Sequence, residues 1–221
     1  AATLSRKGDI LIFTRCEGEK KKEKLNQLWY AYKKGNVWSD PIKVEFCVDT
    51  IDSASPALSF DGETMVFSSN QEGGQGDKDL WYSKFDKKEK KWNAPVNLGS
   101  TINTVQKEVF PFIHDDGTLY FSSDGHLGMG GWDIFKADKK GETEWSNVTN
   151  LRYPSNSAGD DSGIIFEGAK ERGYLSSNRE GTKGADDLWS FVLPPLLFTI
   201  EGVVTNCQAS EEPIPGVTMK L

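Results

Sequence analysis

Two histidines, His114 and His126, and three cysteines, Cys16, Cys47 and Cys207, are the residues best suited to nucleophilic, acid–base or soft-metal chemistry in this chain of 221 residues. No Gly-x-Ser-x-Gly elbow and no His-Glu-x-x-His pair accompanies them, so neither an activated serine nor a helix-borne zinc site is written locally. A serine–histidine–aspartate site is recognised by geometry and not by sequence order, but no segment here asks for one. The cysteines lack the paired spacing of a zinc site. His114 follows the apolar run Phe110 to Ile113 and is expected to be structural, at a turn or lining a channel. No catalytic residue, cofactor or metal is therefore assigned, and the chain is read as a non-enzyme.

What recurs instead is a loop rich in glycine and aspartate, at residues 70–78, 124–131 and 178–186. Two readings of these loops stand side by side. In the first, the glycines permit tight turns while Asp79, Asp133 and Asp187 cap backbone amides where a strand begins. In the second, the loops form a partner-binding face on which Asp124, His126, Trp132, Arg179 and Asp186 are exposed contacts. A calcium site is not expected, because no loop carries the spaced acidic series of an EF-hand. Cys16 follows an apolar strand and Cys47 lies in the linker after it, so both are expected at the same face. In an oxidising compartment they could bond, closing a loop of roughly thirty residues worth a few kcal/mol in the chain-entropy model. Two free thiols are the alternative, and Cys207 is left odd.

The elements that carry these residues repeat. Phe13, Phe67, Phe121 and Leu175 are spaced by 54 residues, each within a short apolar strand such as Met65-Val66-Phe67-Ser68-Ser69. Asp79-Leu80-Trp81, Asp133-Ile134-Phe135 and Asp187-Leu188-Trp189 keep the same spacing, with Gln27-Leu28-Trp29 shifted by two. Trp38, Trp92 and Trp145 make a third column. Each repeat reads as a hairpin about Asp61-Gly62 or Asp116-Gly117, then the glycine-rich loop, a third strand, a basic turn and a last strand opening on tryptophan. No segment has the periodicity of a helix. Four antiparallel strands per repeat at this length predict the blades of a β-propeller, an all-β fold in which each sheet packs both faces on its neighbours.

Blades are expected near residues 1–47, 54–100, 108–152 and 159–192, so that 1–193 form the propeller. The chain opens within an innermost strand, since residues 2–8 align on 56–62, and the fourth repeat never presents its outer strand. A six-bladed intact ring is expected, closed by strands outside these residues. Residues 194–197, with Pro194-Pro195, read as a linker, and 198–221 as the first strands of a β-sandwich.

Bulk properties narrow the partners. A formal charge of −7, from 33 acidic and 26 basic side chains, offers no field for a polyphosphate, so nucleic acid is not expected. The longest apolar stretch, Phe191 to Ile200, is interrupted by proline and too short to span a bilayer. Without a charged-then-apolar leader at Ala1, the sequence is expected to begin after any signal peptide or within a longer protein.

The repeats resemble the blades of TolB-type propellers. The run from Glu108 to Phe135, with His114-Asp115-Asp116-Gly117 and Ser122-Ser123-Asp124-Gly125-His126 inside it, is similar to the propeller of OmpA-family envelope proteins of Bacteroidetes. Ile200-Glu201-Gly202-Val203-Val204 followed by Pro213-Ile214-Pro215-Gly216-Val217 resembles the opening of a carboxypeptidase regulatory-like sandwich, which follows the propeller in that family. The resemblance implies an exported lipoprotein, periplasmic and associated with the outer membrane. It further implies partners among envelope and secretion-complex proteins, notably of the type IX secretion system, and peptidoglycan bound through a domain outside these residues. The function expected is a protein-binding scaffold, with a carbohydrate- or peptidoglycan-fragment-binding module as the alternative and a propeller hydrolase third.

Overall fold

The structure, a computed structural model, describes residues 1–17 and 24–193. The expected linker at 194–197, the sandwich strands at 198–221 and Cys207 lie outside the described residues. The described chain is all β: four antiparallel sheets in sequence order, stacked side by side as propeller blades.

Blade 1 holds β1 (Ala2–Leu4), β2 (Ile10–Glu17), β3 (Leu25–Lys34), β4 (Val37–Trp38) and β5 (Ile42–Lys43). Blade 2 holds β6 (Ser53–Leu58), β7 (Thr64–Ser69), β8 (Asp79–Asp86), β9 (Lys91–Trp92) and β10 (Val96–Asn97). Blade 3 holds β11 (Glu108–Ile113), β12 (Leu119–Ser123), β13 (Asp133–Lys139) and β14 (Trp145–Asn150). Among the described residues blade 4 holds three strands, β15 (Asp161–Phe166), β16 (Arg172–Ser177) and β17 (Asp187–Val192). The last strand of blade 2, expected to open on Trp92, is broken in two. Pro95 has no N–H to give to a ladder, and Pro41 interrupts blade 1 at the corresponding place, whereas β14 has no proline and runs unbroken.

The alternation of β7 explains why the blades stack. Met65 and Phe67 point toward blade 1, packing with Ile12, Leu28 and Tyr30, while Val66 points the other way and joins Leu119 and Phe121 of blade 3. A strand whose two faces are both covered must be apolar on both, which is why the run reads as continuous and not alternating. Blades 3 and 4 meet over Tyr120, Ile134, Ile164 and Leu175 in the same manner.

The innermost strands of blades 2, 3 and 4 each carry a bulge, whereas β1 pairs β2 in unbroken register. The register shifts between Ala54 and Ala57, between Val109 and Phe112, and between Ser162 and Ile165. At the bulge one residue takes the left-handed conformation: Ser55 (φ 54°), Phe110 (φ 50°) and Gly163 (φ 64°). The bulge turns the Ser55 and Gly163 amides back onto the preceding blade, where they donate to the hydroxyls of Thr14 (3.0 Å) and Ser122 (3.2 Å). Thr14 and Ser122 belong to the repeated hydroxyl column after the apolar anchor, so the repeat encodes a link between blades as well as a core.

Candidate functional site on the loop face

The loops between second and third strands are held by three clasps that recur from blade to blade. In the first, Asn70, Asp124 and Asn178, spaced by 54 residues, accept from the amides of Asp52 (2.8 Å), Lys107 (2.8 Å) and Asp160 (2.7 Å), each leading into an innermost strand. In the second, Asp79 accepts from the amides of Gln75 and Gly76, Asp133 from Met129 and Gly130, and Asp187 from Lys183. The capping role read for these aspartates is what the structure contains. In the third, the carboxamide of Asn103 both accepts from the Leu80 amide (2.8 Å) and donates to its carbonyl (3.0 Å). Asn156 does the same at Ile134, at 2.9 and 2.8 Å.

Beneath the loops lie buried acids. Glu108 accepts from the Thr104 amide and hydroxyl, both at 2.8 Å, and from the Ser123 hydroxyl at 2.7 Å. Burial pushes its carboxyl above the usual range; the hydrogen bonds and the nearby His126 oppose that rise without cancelling it. The corresponding Asp161 of blade 4 is fully buried and paired with the Arg179 guanidinium at 2.5 Å. Blade 2 has Ser53 there, bonded to Ser69 at 3.0 Å. Asp52 behaves oppositely to Glu108: burial raises its pKa, but hydrogen bonds from Lys78 and the Asn26 amide outweigh burial and hold it low.

Each candidate contact can now be placed. Asp124 and Asp186 are exposed, although Asp124 is also a clasp. Trp132 is half-buried, with its amide donating to Asp160 at 3.0 Å. His126 and Arg179 are not the free contacts expected. The His126 ring packs against Phe121 and Phe135, and its Nε2 lies 2.8 Å from the Ile102 carbonyl. The Arg179 guanidinium is spent on Asp161 and on the carbonyls of Pro154 (2.9 Å) and Ser155 (2.6 Å), and it stacks over Trp189. Both are latches between a loop and a linker, because a buried acid and a bare carbonyl each need a donor.

The Cys16–Cys47 bond weighed from the sequence is not formed, and both thiols are free. Cys47 turns into the core between blades 1 and 2, where burial pushes its thiol pKa up, whereas Cys16 stays exposed at the end of β2. His114 sits at the tight turn after β11, where its amide and carbonyl bond Thr118 and Gly117 and its Nδ1 lies 3.0 Å from Asp116.

Sequence reasoning missed the apolar side chains that this belt leaves in water. Leu127 is 96% exposed, Tyr153 79% and Val105 76%, with Met129 about half exposed. The signal was present, since leucine and methionine inside a glycine-rich loop have no local role, but glycine and aspartate drew the reading. The Ser123 hydroxyl donates to Glu108, and the His126 ring faces Ile102, so serine and imidazole are not aligned for proton transfer. Among the described residues no group of three or more metal-ligating side chains converges, and no helix is long and apolar enough to cross a membrane. Along the propeller axis the innermost strands line a cavity of about 410 Å³ with Pro56, Phe110, Phe112 and Ile165.

No protein-family model matches the sequence, and no curated protein matches it. Solved structures share the fold. A TolB from Agrobacterium tumefaciens superposes with a TM-score of 0.54 at 14% identity, covering 83% of this chain and 55% of that one. An endo-arabinase from Bacteroides thetaiotaomicron gives 0.57 at 14% identity over 88% of this chain and 74% of that one. A puromycin-hydrolysing peptidase of Mycobacterium tuberculosis gives 0.52 at 13% identity, over 80% of this chain and 25% of that one. The chain has a TolB-like β-propeller fold and spans about half the length of the TolB structure. The same fold is thus shared by a TolB, an endo-arabinase and a peptidase, and the function must be argued from the site.

Proposed function

We propose that these blades form a protein-binding scaffold in a cell-envelope complex, with the loop face as its docking surface. The observation that carries this is the combination of a rigid belt and bare apolar tips. Three sets of side-chain clasps fix the loops, yet Val105, Leu127, Met129 and Tyr153 stay in water, where large apolar side chains favour a partner. A preorganised surface binds without first having to be ordered. Placement in the periplasm at the outer membrane, and in the type IX secretion system in the manner of PorE, rests on the resemblance of residues 108–135 and 200–217 to OmpA-family envelope proteins.

The second reading, a module for carbohydrate or peptidoglycan fragments, is favoured by the axial cavity with Phe110 and Phe112 on its wall. The two separate experimentally. The chain and a Val105→Ser/Leu127→Ser/Met129→Ser variant, whose clasps are intact, are used as baits on envelope extract of the native organism. Defined envelope proteins held by the first and lost by the second support the scaffold. Equal capture by both sinks it, and a rise in melting temperature with peptidoglycan fragments or oligosaccharides moves the second reading ahead.

A further inference from the structure

The first two junctions between blades are closed by linkers that start alike and continue differently. Val44 and Leu98 each donate an amide to the carbonyl of a leucine in the third strand, Leu28 at 2.9 Å and Leu80 at 3.1 Å, so the residues that follow them occupy matching positions. In the first linker these are Glu45 and Phe46. Phe46 stacks on Phe67 of blade 2 at 5.1 Å, and the Glu45 carboxylate bridges the two blades, accepting from the Tyr30 hydroxyl at 3.1 Å and the Trp92 amide at 3.4 Å. In the second linker they are Gly99 and Ser100, and a Cβ on Gly99 would meet nothing within 4 Å.

Tyr82 and Trp145 stand in the columns of Tyr30 and Trp92, so the second junction keeps the residues that hold the carboxylate while its linker supplies none. Between them opens a pocket of about 380 Å³ whose wall includes Tyr82, Leu98, Thr101, Lys140, Glu144 and Trp145. That volume suits a small molecule. Among the described residues the Tyr82 hydroxyl makes no hydrogen bond, and the Lys140 ammonium and Glu144 carboxylate make no ion pair. Blades 2 and 3 each pack on a neighbour at both faces, so the pocket belongs to a completed junction.

We infer that this pocket binds a small zwitterion, an amino acid or short peptide, whose carboxylate takes the place that Glu45 holds in the first junction. The Tyr82 hydroxyl donates to that carboxylate and Lys140 supplies the opposing charge, while Glu144 receives the ammonium group. Hydrogen bonds to a charged group are stronger than those between neutral ones, which favours such a ligand over an uncharged analogue. Glu144 also works against a ligand whose only charge is negative. None of the exposed apolar loop residues lines this pocket, so the inference stands or falls independently of the scaffold reading.

The test follows the NMR resonances of Tyr82, Leu98 and Trp145 while alanyl-alanine, its methyl ester, its N-acetyl derivative and glucuronate are titrated separately. The free dipeptide is expected to shift them saturably. The ester lacks the carboxylate, the acetylated form lacks the ammonium, and glucuronate carries negative charge alone, so each should bind about tenfold more weakly or worse. Tyr82→Phe removes a hydroxyl that holds nothing in the fold, and should weaken the dipeptide about tenfold with the urea midpoint unchanged. Lys140→Ala, at an exposed position, should do the same. No saturable shift with the dipeptide overturns the proposal. So does undiminished binding in either variant, or an ester, acetylated form or glucuronate that binds as tightly as the dipeptide.

Discussion

At the scale of single residues, the buried acids give the most direct expectations. Glu108 has a folded pKa above its unfolded value, near ~4.3, so its contribution to stability is fully present below that value and lost as pH rises through the folded one. Asp52, held low by Lys78 and the Asn26 amide, contributes above its unfolded value and loses that contribution as pH falls. Glu108→Gln should therefore flatten the decline in stability as pH rises above the unfolded value; urea melts at a series of pH values above it would read the slope, and an unchanged slope would mean that the carboxyl is not its source. The thiols separate just as cleanly. Maleimide should label Cys16 in the native protein and reach Cys47 only on unfolding, by peptide mapping, with the same pattern whether or not a reductant is present.

At the scale of elements, the repeat succeeds because local chemistry and register agree. Asn103 ties the end of a linker to the second residue of β8 through both polar groups of Leu80. Asn103→Ala would leave the buried Leu80 amide without its partner, while the carbonyl keeps the Leu98 amide at 3.1 Å, and should cost about 1–3 kcal/mol, seen as a lower urea midpoint with the denaturant slope unchanged. The bulges make a second, smaller prediction. Gly163 takes φ 64° with no side chain near where a Cβ would sit, so Gly163→Ala should cost about 1 kcal/mol from backbone conformation alone. Ser55→Gly, at the same point of blade 2 (φ 54°), should lose little or gain. These bulges could not be read from sequence, because serine, phenylalanine and glycine share no composition that marks a left-handed residue. β6 accordingly begins ahead of its bulge, at Ser53, and runs to Leu58.

At the scale of the whole molecule, stability resides between the blades. Phe121 is fully buried, stacks with Phe135 at 5.9 Å, and packs in a core that reaches blade 2. Phe121→Ala should cost about 3–5 kcal/mol, and hydrogen exchange should speed up in β7 as well as in β12 and β13, because the cavity opens at a junction shared by two sheets. Loss of protection confined to blade 3 would mean that the blades are stable independently of one another. The loop face is the other property of the whole. Its rigidity comes from linkers and loops of successive blades locking together, and no single repeat contains it.

The sequence by itself determined the fold class, the four blades and the capping aspartates, because a 54-residue period in apolar anchors, turns and aspartates is a local signal repeated in one dimension. It also pointed to the clasp column through Asp124, though as a free contact. Only the tertiary structure decided that His126 and Arg179 face inward, since what they bond, Ile102 and Asp161, lies 24 and 18 residues away in sequence and is reached by packing. It likewise decided that Cys47 enters the core while Cys16 does not, and that Leu127 and Tyr153 remain in water. Period and composition report which residues recur; whether a recurring side chain is covered depends on the neighbour its sheet meets, and that is a property of the stack.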